Sequence, residues 1–207
     1  MAASNYPYFS KPGWLPFAVS AGLAATVWTY FGFFWSLPLW LICVALIFLF
    51  RDPVREIPAI PLAVVSPADG LISKVDTVPD PYLGRSSRRV VIDMFPMGVF
   101  STRSPIEGKV MDIKDCNITD GNQYPHGVWI QTDEKDDVIM VMDKGRLNSQ
   151  PRCYIRIGEK IGQGQRCGFI RLGGKVEVYL PNNSRMGVEP GAKVRAGSDV
   201  IATLVHK

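Results

Sequence analysis

Hydrophobic and polar positions divide the chain at Arg51. From Trp14 to Phe50 no residue is charged, a span far longer than the ~20 residues one bilayer crossing needs. Pro38, in Ser36-Leu37-Pro38, interrupts it and predicts a first helix near 15–34 and a shorter second one near 39–50. A re-entrant or tilted hairpin and two tight transmembrane helices both fit this pattern. In either case Lys11 on one flank and Arg51 with Arg55 on the other lie on the same, cytoplasmic side. The tryptophans Trp14, Trp28, Trp35 and Trp40, with Tyr30, supply an aromatic belt. A cleaved signal peptide does not fit, because the apolar region is too long and no small-residue cleavage pattern follows it. Residues 51–63, with Pro58 and Pro61, read as a stiff connector.

Beyond the connector the pattern changes to short, β-rich runs punctuated by glycine, at 71–78, 89–95, 109–113, 128–132, 138–143, 153–157, 169–172, 176–180 and 199–205. No helical period interrupts them. The expected architecture is a tail over 1–13, an α-helical membrane hairpin over 14–50, the linker, and an all-β barrel or sandwich over 64–207. Two internal repeats sharpen this. Ser66-Pro-Ala-Asp-Gly70 echoes Ser104-Pro-Ile-Glu-Gly108, and Gly158-Glu-Lys-Ile-Gly-Gln-Gly164 echoes Gly191-Ala-Lys-Val-Arg-Ala-Gly197. Glycines at both ends of a short strand permit sharp corners, and the spacing resembles the half-units of lipoyl-domain-like barrels.

Charge adds little. Residues 51–207 carry 22 Lys and Arg against 19 Asp and Glu, a surplus of +3, which suits anionic lipid headgroups. No dense basic cluster interleaved with aromatics argues for nucleic acid. Cys43, Cys116, Cys153 and Cys167 form no C-x-x-C pair; they read as reduced thiols of a cytosol-facing protein rather than a disulfide framework or zinc site. In that compartment the N-x-S/T triplets at Asn117 and Asn182 are chance.

Candidate chemistry centres on Gly173-Gly174, where two alternating runs meet. Around it few groups have a partner at a useful spacing. His126 lies in the turn Tyr124-Pro-His-Gly127 and His206 lies at the C-terminus, both read as solvated. Cys167 reads as a small buried cysteine and Lys175 as a solvated turn lysine. Asp133, Glu134, Asp136 and Asp137 are interrupted by Lys135 and fit a polar hairpin loop rather than a metal site. Asp69, before Gly70, suits a turn whatever its chemistry.

Five segments in order, Phe50-Arg-Asp-Pro-Val-Arg55, Val65-Ser-Pro-Ala-Asp-Gly70, Arg103-Ser-Pro-Ile-Glu-Gly-Lys-Val110, Gly164-Gln-Arg-Cys-Gly168 and Val176-Glu-Val-Tyr-Leu-Pro181, give the chain a pattern that resembles the phosphatidylserine decarboxylase family over nearly its whole length. The resemblance implies a proenzyme that cuts itself at a Gly-Ser bond and turns the serine into a pyruvoyl group, the electron sink for decarboxylation. It also implies a serine, histidine and aspartate for self-cleavage. The aspartate carries over to Asp69. The histidine position reads Phe100, three residues before Arg103, and the serine position reads Gly174 in Leu172-Gly173-Gly174-Lys175.

Glycine has no oxygen to attack the preceding carbonyl and no β-leaving group, and phenylalanine cannot accept a proton. The expectation is therefore a membrane-anchored relative of this family that is neither self-cleaved nor catalytic and has no cofactor. It would act as a lipid-binding or accessory subunit of a membrane-protein complex, with Phe100, Arg103, Gly173, Gly174 and Lys175 as lipid-binding candidates. The alternative is an active pyruvoyl-dependent decarboxylase seen with its serine replaced.

Overall fold

Gly32 divides the uncharged stretch. In the computed structural model, which describes residues 8–80, 82–114 and 126–205, helix α1 runs Trp14–Phe31 and α2 runs Phe33–Leu49. Gly32 between them takes φ 87° and ψ 172°, open to glycine and strained for other residues. The break therefore falls at the glycine and not at Pro38, which is carried inside α2. The helices pack through small polar groups, with Ser20 Oγ 3.2 Å from Cys43 Sγ, and through Trp28 edge-on to Trp40.

The expected membrane hairpin is corrected by these lengths. Among the described residues no helix is long and apolar enough to cross a membrane. The 17 residues of α2 rise about 26 Å, short of the ~30 Å hydrocarbon core. The 18 residues of α1 include Ser20, Gly22, Thr26, Thr29 and Tyr30, which dilute its apolar character. One long uncharged run is two short helices because the turn consumes its middle. The chain forms two compact units, Met1–Val54 and Arg55–Lys207.

The second unit is built from β-strands. In chain order they are β1 Ala63–Val65, β2 Gly70–Pro79, β3 Ser86–Met94, β4 Ser101–Arg103, β5 Gly108–Lys114, β6 His126–Gln131 and β7 Asp137–Met142. Then come β8 Arg152–Cys153, β9 Lys160–Ile161, β10 Arg166–Phe169, β11 Lys175–Pro181, β12 Arg185–Met186, β13 Lys193–Val194 and β14 Val200–Thr203. The main sheet has the order β13-β2-β3-β11-β7-β6-β5-β9, and two three-stranded sheets, β1-β14-β12 and β4-β10-β8, accompany it. Its end strands β13 and β9 do not pair with each other, so the expected barrel is an open, half-barrel sheet. Alternation places Ile72, Ile92, Ile130, Met140, Met142 and Leu180 in the core, while Lys175 and Glu177 of β11 remain accessible.

The two sequence repeats become a pseudo-twofold. Val65 N–H donates to the Pro105 carbonyl, and Arg103 N–H to the Pro67 carbonyl, so each repeat turn closes the other. Ser66 Oγ donates to Ala68 O and Ser104 Oγ to Ile106 O, at 2.8 and 2.7 Å. Gly197 N–H reaches Ser66 O and Gly164 N–H reaches Ser104 O. The short strands of the second repeat, β9 and β13, pair with β5 and β2 at Gly108 and Gly70. A Cβ on either glycine would sit 2.3 Å from a neighbouring strand's carbonyl oxygen, that of Asp93 or Gln131, so only glycine admits this approach.

Candidate functional site

The first repeat turn presents Asp69 with both carboxylate oxygens engaged. Oδ1 accepts from the Ala196 N–H at 2.7 Å and Oδ2 from Arg55 Nη2 at 2.8 Å. Neither side chain of the ion pair is more than 17% exposed. Arg55 closes the segment Phe50–Arg55, yet no spacing rule pairs it with Asp69, so sequence reasoning missed this contact. The loop after β3 joins the site next: Phe95 N–H donates to Asp69 O at 3.3 Å and Gly98 N–H to Phe95 O.

Phe100 lies at the end of that loop and is 1% exposed. Its ring stands edge-on to Phe169, with centroids 6.3 Å apart, and its carbonyl accepts from Ile170 N–H. A Cβ on Gly173 would lie 3.6 Å from Phe100 Cε1 and 3.3 Å from Phe95 O. The loop 95–100 therefore runs from the Asp69 backbone to Gly173, while position 174 faces Lys144, Gly145 and Ile170.

The two glycines differ. Gly173 has φ 72°, a left-handed conformation that favours glycine. Gly174 has no positive φ, and a Cβ there would meet Lys144 O at 3.1 Å, Ile170 Cγ2 at 3.2 Å and Gly145 Cα at 3.4 Å. A small side chain at 174 needs shifts of only a few tenths of an ångström. The backbone demands glycine at 173 and not at 174.

Of the other candidates, Arg103 is buried and donates from Nη1 to Gly164 O at 3.2 Å, which ties the repeat turns together. Lys175 is exposed at the start of β11, directly across from Asp93. Its carbonyl accepts from Asp143 N–H. Burial holds the Asp143 carboxyl above its usual range; Glu177 adds to this and Lys175 opposes it. His126 is not a solvated turn residue: it opens β6 and is buried, because pairing with Met142 draws it into the sheet. Cys167 is fully buried, and burial pushes its thiol up to about 12. Asp137 opens β7 and accepts from Trp129 Nε1 and Gln131 Nε2, while Lys135 turns the hairpin at φ 67°. Cys116, Asn117 and His206 lie outside the described residues.

Comparison with known proteins identifies the class. The chain belongs to the phosphatidylserine decarboxylase family: the family model described as phosphatidylserine decarboxylase matches residues 45–202. Particular relatives are as similar over almost their full length. A phosphatidylserine decarboxylase proenzyme of Nitrosomonas eutropha is 37% identical, over 98% of this chain and 99% of its own. Its namesake from Burkholderia cenocepacia is 38% identical, over 97% and 99%. Among solved structures, the glucose permease IIA from Mycoplasma capricolum aligns at a TM-score of 0.48 and 16% identity, over 68% of this chain and 94% of that one.

The residues present do not fit a pyruvoyl group at position 174. That group is made from a serine, and Gly174 has neither the attacking oxygen nor the leaving group. Nor can the Phe100 ring move a proton, and the Asp69 carboxylate is already committed to Arg55 and Ala196.

Proposed function

We propose that this member of the phosphatidylserine decarboxylase family stays a single uncleaved polypeptide and engages phospholipid without decarboxylating it, as a lipid-binding or accessory subunit at a membrane. One observation carries the reading: position 174, whose backbone conformation does not require glycine, holds glycine, and position 100 holds a buried phenylalanine. Membrane association is supported by the exposed apolar side chains of α1 and α2, among them Leu15, Phe34 and Trp35, since surfaces of that kind mark partners or lipid. Cys43 and Cys167, buried and outside any disulfide, suit a cytoplasm-facing location.

The test is incubation of the purified chain with phosphatidylserine and measurement of phosphatidylethanolamine. No turnover above a boiled control is expected, and one band near 23 kDa on a denaturing gel. Turnover, or two fragments, would overturn the reading.

A second reading is favoured by the relatives' name, phosphatidylserine decarboxylase proenzyme: an active pyruvoyl-dependent decarboxylase, making phosphatidylethanolamine, in which Gly174 replaces the self-cleaving serine. The backbone at position 174, which has no positive φ, supports it, and the buried Phe100 opposes it. Reading the natural codon at 174 separates the two.

A further inference from the structure

The pseudo-twofold places Glu107 of the second repeat turn where the first has Asp69, and Gln163 where the other half has Ala196. At the first site the carboxylate receives the Arg55 guanidinium. At the second, a groove of about 350 Å³ opens beside Glu107 and Gln163. Buried Ile106 and Leu204 form apolar walls, and Leu62, held at φ 57°, adds another. Glu134 stands on the rim. Among the described residues, no ion pair engages Glu107 or Glu134, while Asp133 beside them pairs with Lys160.

We infer that this groove docks an arginine or lysine side chain carried on an apolar segment of a partner protein. Three observations converge on that occupant. The apolar walls suit an aliphatic neighbour and the stem of a long basic side chain. The two carboxylates have no cation of their own, so an incoming one meets complementary charge. The twin site shows the same turn geometry receiving a guanidinium from the chain's own Arg55. A guanidinium on a turn carboxylate is thus a contact the fold already makes once. The groove is separate from Gly174, so this docking does not depend on whether the chain decarboxylates.

The probe is the acetylated and amidated tripeptide Ile-Arg-Leu, titrated calorimetrically into the full chain in non-ionic detergent. Two companion peptides carry norleucine or glutamate in place of arginine. Saturable binding with a Kd at or below about 1 mM is expected for the arginine peptide alone. Glu107→Gln with Glu134→Gln should weaken it about tenfold or more while leaving the Tm unchanged, because both side chains are exposed and outside any ion pair. No binding at ten times that concentration, equal binding of the norleucine peptide, or equal binding by the double variant would each overturn the inference. None of these outcomes bears on phosphatidylethanolamine formation, so failure here and failure of the lipid reading are distinguishable.

Discussion

Position 174 shows how much a single atom decides. Gly173→Ala forces a side chain into φ 72°, and a loss of about 1–2 kcal/mol is expected in denaturant unfolding. Gly174→Ser meets no such conformational barrier, and its stability is expected to stay within about 1 kcal/mol of the parent. Equal losses at both positions would contradict the distinction. Combining Gly174→Ser with Phe100→His is still expected to give one band on a denaturing gel. The histidine would be buried against Phe169, and the Asp69 carboxylate would remain held by Arg55 and Ala196. Appearance of two fragments would refute this.

Asp143 gives a test in pH. Its folded pKa lies above the ordinary value of 3.8, chiefly through burial, so ionisation costs more in the folded chain than in the unfolded one. Sign follows from this: the group weakens the fold once it is ionised, and the penalty grows as pH rises from the unfolded pKa through the folded one. Asp143→Asn should therefore raise the Tm at neutral pH, and the difference should vanish below about pH 3, where both states are protonated. A gain that persists at low pH would point to another cause.

At the scale of elements, the closest strand crossings depend on Gly70 and Gly108. Each opens a strand, β2 and β5, against a carbonyl only 2.3 Å from where a Cβ would sit. Alanine at either position is expected to cost about 3 kcal/mol, the upper range for overpacking, with similar losses at both because the two halves are built alike. A loss confined to one half would show that the pseudo-twofold is not mechanically equivalent. Glycine also governs the helical unit, where Gly32 ends α1. The Pro38 break failed as an expectation because proline's fixed φ is compatible with a helix and only one backbone bond is lost.

For the whole molecule, the division into Met1–Val54 and Arg55–Lys207 predicts that residues 55–207 fold on their own. That fragment has its own core, from Ile72 to Ile201, and its expected signature is a β-type circular dichroism spectrum with one cooperative thermal transition, in the absence of detergent. The full chain, with Leu15, Phe34 and Trp35 exposed on the helices, is expected to need detergent or lipid. A fragment that shows no cooperative transition would overturn the two-unit description.

The sequence by itself determined most strand positions, because alternation at Val176 to Leu180 or Val138 to Met142 repeats in the short range that a strand spans. It also determined the two repeats and the family, whose motifs are contiguous. Two-residue strands such as β9 and β13 were visible only as repeats, since two residues cannot show a period. Likewise, the uncharged run from Trp14 to Phe50 has a composition but no marker of where a turn will consume its length. Tertiary structure decided that Gly32 is that turn, that His126 is buried, and that the sheet stays open. It alone joined Arg55 to Asp69 and left Glu107 facing a groove. Those are contacts between residues far apart in the chain or related by a pseudo-twofold, and their energies depend on distances that no local pattern encodes.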